Sequence, residues 1–267
     1  MDAQNDFERK RRQYMPTFPK ATGKPTPYIE GYPCDDREPM PANEFHGLQT
    51  YTLFDQFLRY FQEDAHIYVG MGNFNYYREG NLSNVGAADV YVILGAAKFP
   101  LHRSSYPLAE GTVPTTVFEF LSDAMRFDNR NKKVEVYLRD MGVQEYFIHQ
   151  PDTERPIEFR GWQRNAAGNI VEIEPDAQGG LFSEALNLYF QWEDQHHSHV
   201  RLLRPYLPDG TPITTSMEEH RLRVEEQRLR VEAEEQRDAA ERLAAEETQR
   251  RREAEAELER LRAQLAK

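Results

Sequence analysis

Apolar and polar positions along this chain change period several times, and each change marks a different element. Leu48, Tyr51, Phe54, Leu58 and Phe61 recur at helical spacing behind Asn43. This predicts a helix from about Glu44 to Gln62, with Asn43 as its N-cap and those five residues as its buried stripe. Short apolar runs at His66–Val69, Phe74–Tyr77, Asp89–Leu94 and Thr115–Leu121 then read as strands. Helical spacing returns from about Asn129 to Met141, where Val134, Tyr137, Leu138 and Met141 share a face and Gly142 supplies the stop. Gln144–His149 is strand-like again. Beyond Pro151 come short strands separated by turns, at Ile157–Gln163, Ile170–Ile173, Leu186–Trp192 and Val200–Pro205. The order of helix, strands, helix, strand and hairpins predicts an α/β core with a mixed central sheet and a β-rich extension.

Near Ser216 the composition changes abruptly. From Met217 to Lys267 there is no Gly, Pro or aromatic residue, and acidic and basic side chains nearly balance at 15 and 12. Such a segment suits a long helix stitched by Glu–Arg pairs four residues apart. Leu222 and Leu229, Val224 and Val231, and the Leu258, Leu261, Leu265 group give it only a partial heptad seam, with Ala and Gln between, so a solitary charged helix and a weak coiled coil both fit, the coiled coil slightly better. Three segments follow: a proline-rich irregular stretch over 1–40, a domain over 41–212, and a charged helix or coiled coil over 216–267.

Within the domain, two apolar strands each carry a carboxylate. Asp89 opens Val90-Tyr91-Val92-Ile93-Leu94, and Glu119 interrupts Val117-Phe118-Glu119-Phe120-Leu121. A buried carboxylate is expensive unless something positive meets it. Strands about 4.8 Å apart can direct two carboxylates at one ion. Magnesium accepts such oxygen ligands and keeps several waters. A bound Mg²⁺ or Mn²⁺ would polarise a phosphoryl oxygen and acidify a water, which is phosphodiester-hydrolysis chemistry. On the following helix, Lys133 falls on the flank of the buried face beneath Tyr137, whereas Lys132 points away. Lys133 is therefore the expected third member, with Arg130 as the fallback. The structural alternative for Asp89 is a strand-entry residue capping a turn after Gly86.

Net charge is −12, which argues against a constitutive nucleic-acid coat protein but is compatible with a site built from carboxylates. Arg9-Lys10-Arg11-Arg12 reads as a solvated arm. Cys34 is the single cysteine, which excludes an internal disulfide and a cysteine-rich zinc site. No apolar run is long enough to span a membrane and the N-terminus lacks a secretory signal, so a cytoplasmic protein is expected. His196-His197-Ser198-His199 reads as a surface turn. His46 and His102 belong to no evident nucleophile–base triad.

In their order, these residues resemble the Uma2 (Uma-two) family of restriction-endonuclease-like proteins, within the PD-(D/E)xK nuclease superfamily. The resemblance runs from about Glu38 to Pro212. It rests on His46 in the first helix, Ala87-Ala88-Asp89-Val90-Tyr91-Val92, Arg103, Ser105-Tyr106 and Glu110-Gly111. It continues through Glu119 and Ser122, Lys133 with Tyr137, and Gly142-Val143-Gln144-Glu145-Tyr146. It implies a restriction-endonuclease-like αβββαβ core, dependence on Mg²⁺ (or Mn²⁺), and cleavage of DNA. Asp89 and Glu119 would then be the metal ligands, with Asp89, Glu119 and Lys133 catalytic. The sequence departs from the family where Ala88 replaces a proline. It also has Leu121 at the slot where the superfamily places its lysine, so Lys133 must supply that group from the helix. Glu38 or Glu44 could assist as the acidic residue of the first helix region. The competing reading keeps the fold without catalysis, as a binding or scaffold module that forms oligomers through the C-terminal helix.

Overall fold

The computed structural model describes residues 43–107, 111–122, 127–195 and 198–265, and only the backbone of 127–130 and 264–265. The stretch 1–40, with the Arg9–Arg12 run, Cys34 and Glu38, lies outside the described residues. So do His196, His197 and the side chain of Arg130. The chain divides into two compact units between Thr215 and Ser216.

In the first unit, helix α1 (Glu44–Tyr60) is followed by β1 (Ile67–Met71), β2 (Phe74–Tyr76), β3 (Val85–Ala87), β4 (Val90–Leu94), β5 (Ser104–Ser105) and β6 (Thr116–Phe120). Helix α2 (Phe127–Glu135) continues into a π-helical segment, Val136–Met141, and then β7 (Glu145–His149). The extension comprises β8 (Phe159–Arg164), β9 (Ile170–Glu172), β10 (Leu181–Ser183), β11 (Leu188–Gln195) and β12 (Val200–Tyr206). The central sheet runs β1-β4-β6-β7-β8-β9, antiparallel except for the parallel pair β6 and β7. A parallel neighbour requires a crossover, and α2 with its π-helical segment supplies it. Two smaller sheets, β10-β11-β12 and β3-β2-β5, complete the unit.

Both faces of the central sheet are covered, which is why its inner strands read as continuous apolar runs. On one face Val90, Val92, Phe118, Phe120 and Phe147 meet Leu53 and Phe57 of α1, together with Leu188, Phe190 and Leu203 of the extension. Phe118 stacks on Phe147 with ring centroids 5.1 Å apart. Truncating either ring would cost about 3–5 kcal/mol. On the other face Tyr91, Ile93, Val117, Leu121, Tyr146 and Ile148 meet Val134, Tyr137, Leu138 and Met141.

Helix α1 begins as expected, with Asn43 Oδ1 accepting from the His46 N–H at 2.9 Å. Its orientation is different. Leu48, Tyr51 and Leu58 of the expected stripe are exposed, and the buried face carries His46, Gly47, Gln49, Thr50, Leu53, Gln56 and Phe57. The two glutamines explain the rotation. Gln49 donates to the Leu203 carbonyl and accepts from its N–H, and Gln56 donates to the Ile213 carbonyl at 2.6 Å. These amides satisfy main-chain groups of the extension, so residues that look solvent-facing in sequence are drawn inward.

The second unit is one helix, α3 (Ser216–Leu265), of 50 residues. At 1.5 Å per residue it is roughly 75 Å long. Pairs four apart line it, including Arg223 with Glu219 at 3.1 Å and Arg230 with Glu234 at 3.5 Å. Leu222, Val224, Leu229, Val231, Leu258 and Leu261 are exposed on it. Among the described residues, no helix is long and apolar enough to cross a membrane.

Candidate active site

Alternation within the central sheet decides where each acidic side chain points. Residues 117, 119 and 121 share one face of β6, so Glu119 lies on the side covered by α2 and its π-helical segment. Val90 pairs with Phe118 across the antiparallel β4–β6 ladder. Continuing that register by one residue sets Asp89 opposite Glu119, on the same face. The two carboxylates lie near enough for the Asp89 charge to act on Glu119.

Glu119 is 2 % exposed, and both of its oxygens are engaged. Lys133 Nζ lies 2.7 Å from Oε2, and the Tyr137 hydroxyl donates to Oε1 at 2.7 Å. Lys133 and Tyr137 are four residues apart, one in the last turn of α2 and the other in the π-helical segment, so a single helical face presents both donors. The helix stops at Gly142, whose φ of 87° suits glycine, and Arg164 clamps that end by donating to the Gly142 and Val143 carbonyls. Gly86 of β3 matters for a different reason. A Cβ there would come within 3.0 Å of the Tyr137 ring, so the glycine allows the strand to press against it.

Asp89 precedes β4 and is 7 % exposed. Its Oδ2 accepts the Phe120 N–H at 2.6 Å. The Leu121 N–H bonds His149 on β7, so by alternation the Phe120 N–H points toward β4, where the ladder has ended. The carboxylate thus closes the sheet across strands and does not merely cap a local turn. His46 Nε2 reaches the same Oδ2 at 3.1 Å from α1. Glu44, by contrast, is exposed in the first turn of that helix. The sequence reading missed His46 as a partner of Asp89. A polar, ring-bearing residue inside the N-capped first turn, three positions after Asn43, was the available signal.

These charges shift one another. Burial pushes the Glu119 pKa up and Asp89 adds to the rise, while Lys133 and the hydrogen bonds from Lys133 and Tyr137 pull it back; the result is a raised pKa. For His46, burial works downward, but the Asp89 hydrogen bond and the charges of Asp89 and Glu119 prevail and raise it. Tyr137 is pushed well above its ordinary value by burial and by Glu119.

Beside this cluster lies a cleft of about 480 Å³, walled by Tyr77, Ser83, Gly86, Ser122, Lys132 and Lys133 among others. Lys133 is therefore shared between Glu119 and open space, whereas Lys132 is exposed. Among the described residues, no group of three or more His, Cys, Asp or Glu side chains could by itself hold a metal ion. The acidic oxygen donors at the site are the pair Asp89 and Glu119. Two carboxylates suit Mg²⁺, which commonly takes one or two from a protein and completes its shell with waters and substrate phosphate.

The α/β fold with its mixed central sheet is that of a protein of the PD-(D/E)xK-like nuclease superfamily, to which the family match assigns the chain. The chain belongs to the Uma2 family, whose model, described as "Putative restriction endonuclease", matches residues 28–193, more than half of its length. It is also similar to a crystal structure of a protein described as a "putative nuclease", from Anabaena variabilis. The identity is 16%, over 58% of this chain and 82% of that one, with a TM-score of 0.34. No curated protein matches the chain.

Proposed function

We propose that the protein is a Mg²⁺-dependent DNA endonuclease (Mn²⁺ serving in its place), with Asp89, Glu119 and Lys133 as its catalytic residues. The observation that carries this reading is the 2.7 Å ion pair between Lys133 and a buried Glu119 whose strand register sets it opposite Asp89. Asp89 and Glu119 would hold the ion. Its chemistry, when bound, is to polarise a phosphoryl oxygen and acidify a water. In hydrolysis the water oxygen bonds to phosphorus, one P–O ester bond breaks, and the departing oxygen gains a proton.

Lys133 carries its charge at the mouth of the cleft, where it can offset negative charge growing on the phosphoryl oxygens or orient the water. Tyr137 holds the Glu119 carboxylate in one orientation. The walls around Glu119 exclude bulk water, which strengthens these electrostatic contacts. Lys132 at the cleft rim can meet a neighbouring phosphate of the same strand.

The test is incubation of the purified full chain with plasmid and with single-stranded DNA in Mg²⁺, Mn²⁺ or EDTA. Cleavage should need the metal. Glu119→Gln should keep the fold and lower the rate about 10³-fold, the scale of losing one electrostatic group at a reacting centre. A folded Glu119→Gln protein that cleaves at the wild-type rate would sink the assignment.

A second reading is favoured by the exposed leucines and valines of α3: a non-catalytic binding or scaffold module that forms homo-oligomers through this helix. Metal-independent DNA binding without cleavage, together with a mass in solution that falls to one chain when 216–267 is removed, would support it over the first.

A further inference from the structure

We infer that His46 is a positioning residue for the metal site, fixing Asp89 through the Nε2 contact so that the other carboxylate oxygen, Oδ1, stays open toward the ion. This rests on the proposed function and extends it to a residue on the opposite side of the sheet. The carboxylate of Asp89 is held at one oxygen from two directions. The Phe120 N–H approaches Oδ2 at 2.6 Å within the sheet, and His46 Nε2 approaches it at 3.1 Å from α1. Among the described residues nothing donates to Oδ1. One donor leaves a carboxylate free to rotate about its bond to Cβ; two donors from different elements fix its plane.

His46 is itself well placed for this work. It is 6 % exposed, its main-chain N–H is capped by Asn43, and its ring meets Phe120 edge-on at 6.3 Å. Its Nδ1 is buried and has no partner among the described residues. The contact with Asp89 requires a proton on Nε2, so His46 donates to the carboxylate. A partner that orients a metal-binding group typically changes metal affinity by 10–100-fold when it is removed.

The experiment is calorimetric titration of the full chain with Mn²⁺ in the absence of DNA, alongside thermal melting. His46→Leu keeps the bulk against Phe120 and removes the donor; His46→Gln keeps a donor of similar reach. The expected result is Mn²⁺ binding at least tenfold weaker in His46→Leu, recovery to within about threefold of wild type in His46→Gln, and little change in melting temperature. Wild-type affinity in a folded His46→Leu protein would overturn the proposal, as would a His46→Gln protein as weak as His46→Leu. If His46→Leu does not fold, His46→Asn, polar but too short to reach Asp89, takes its place under the same criterion. A wild-type chain that binds no Mn²⁺ would instead overturn the nuclease reading, and this inference with it.

Discussion

The neighbouring strands β6 and β7 each bury a glutamate, and the two are put to different uses. Glu119 on β6 and Glu145 on β7 are both 2 % exposed, and burial raises the pKa of both. Their partners differ. Glu145 receives Thr116 Oγ1 at 3.0 Å, the Ser183 hydroxyl, and the Ala185 N–H at 2.9 Å, all neutral donors from packed elements. It ties the turn after β10 to the central sheet. Glu119 instead receives an ammonium and a phenol, feels the Asp89 charge, and has both of its partners on the wall of a cleft. Burial alone therefore does not mark a site. A cation, a nearby second carboxylate and a cleft lined by its partners are what set Glu119 apart.

The sharpest way to break this comparison is to exchange the readouts. Glu119→Gln is expected to remove about 10³-fold of activity with a modest change in stability. Glu145→Leu is expected to leave cleavage within about twofold of wild type and to lower stability by about 2–4 kcal/mol, because buried hydroxyls and an N–H lose their acceptor. Denaturant melts and cleavage rates on both variants check the pair. Loss of activity in a stable Glu145→Leu protein would erase the distinction.

At its far end β7 carries His149, and pH probes the same structural role. Its Nε2 donates to the Arg201 carbonyl at 2.8 Å, its Nδ1 is buried without a partner among the described residues, and burial lowers its pKa from 6.5 to about 4. Between those values the unfolded chain binds a proton that the folded chain refuses. Its contribution to stability is therefore full above about 6.5 and falls as pH drops toward about 4. The loss amounts to about 3 kcal/mol over that window. Melts of wild type and His149→Phe at pH 7 and pH 4.5 test this; the variant should show a shallower decline on acidification. Equal declines would remove His149 from the account.

The sequence made β4, β6 and β7 legible because both-sided burial writes continuous apolar runs, and a charge inside such a run stands out. Lys133 could be placed from the wheel, since the flank of a helix is determined by its apolar residues. The orientation of α1 could not. Gln49 and Gln56 face inward because main-chain groups near Leu203 and Ile213, more than 150 residues away, need partners. No local pattern encodes that demand. The contact of His46 with Asp89, between the first helix and a strand entry, was hidden for the same reason. Strands β3, β5 and β10, of two or three residues each, are too short to show a period of two. The π-helical segment at Val136–Met141 was read as ordinary helix because its apolar spacing is nearly unchanged.

The smallest expected effect concerns how β6 keeps its glutamate useful. Tyr137 donates to Glu119 Oε1, and this hydrogen bond favours the charged carboxylate against a burial that opposes it. Tyr137→Phe retains the ring packed on Tyr146 at 4.9 Å and removes only the hydroxyl. Stability should fall by about 1–2 kcal/mol, since Lys133 still meets the other oxygen. Without the donor, the neutral form of Glu119 gains ground and its pKa rises further. The acid limb of the cleavage rate against pH should then move to higher pH, with less than about a tenfold loss of rate on the alkaline plateau. A limb that stays in place, or moves to lower pH, would mean that Tyr137 only fills space. Glu119 would then owe its charge at working pH to Lys133 alone, and the contrast with Glu145 would narrow to a single ammonium group.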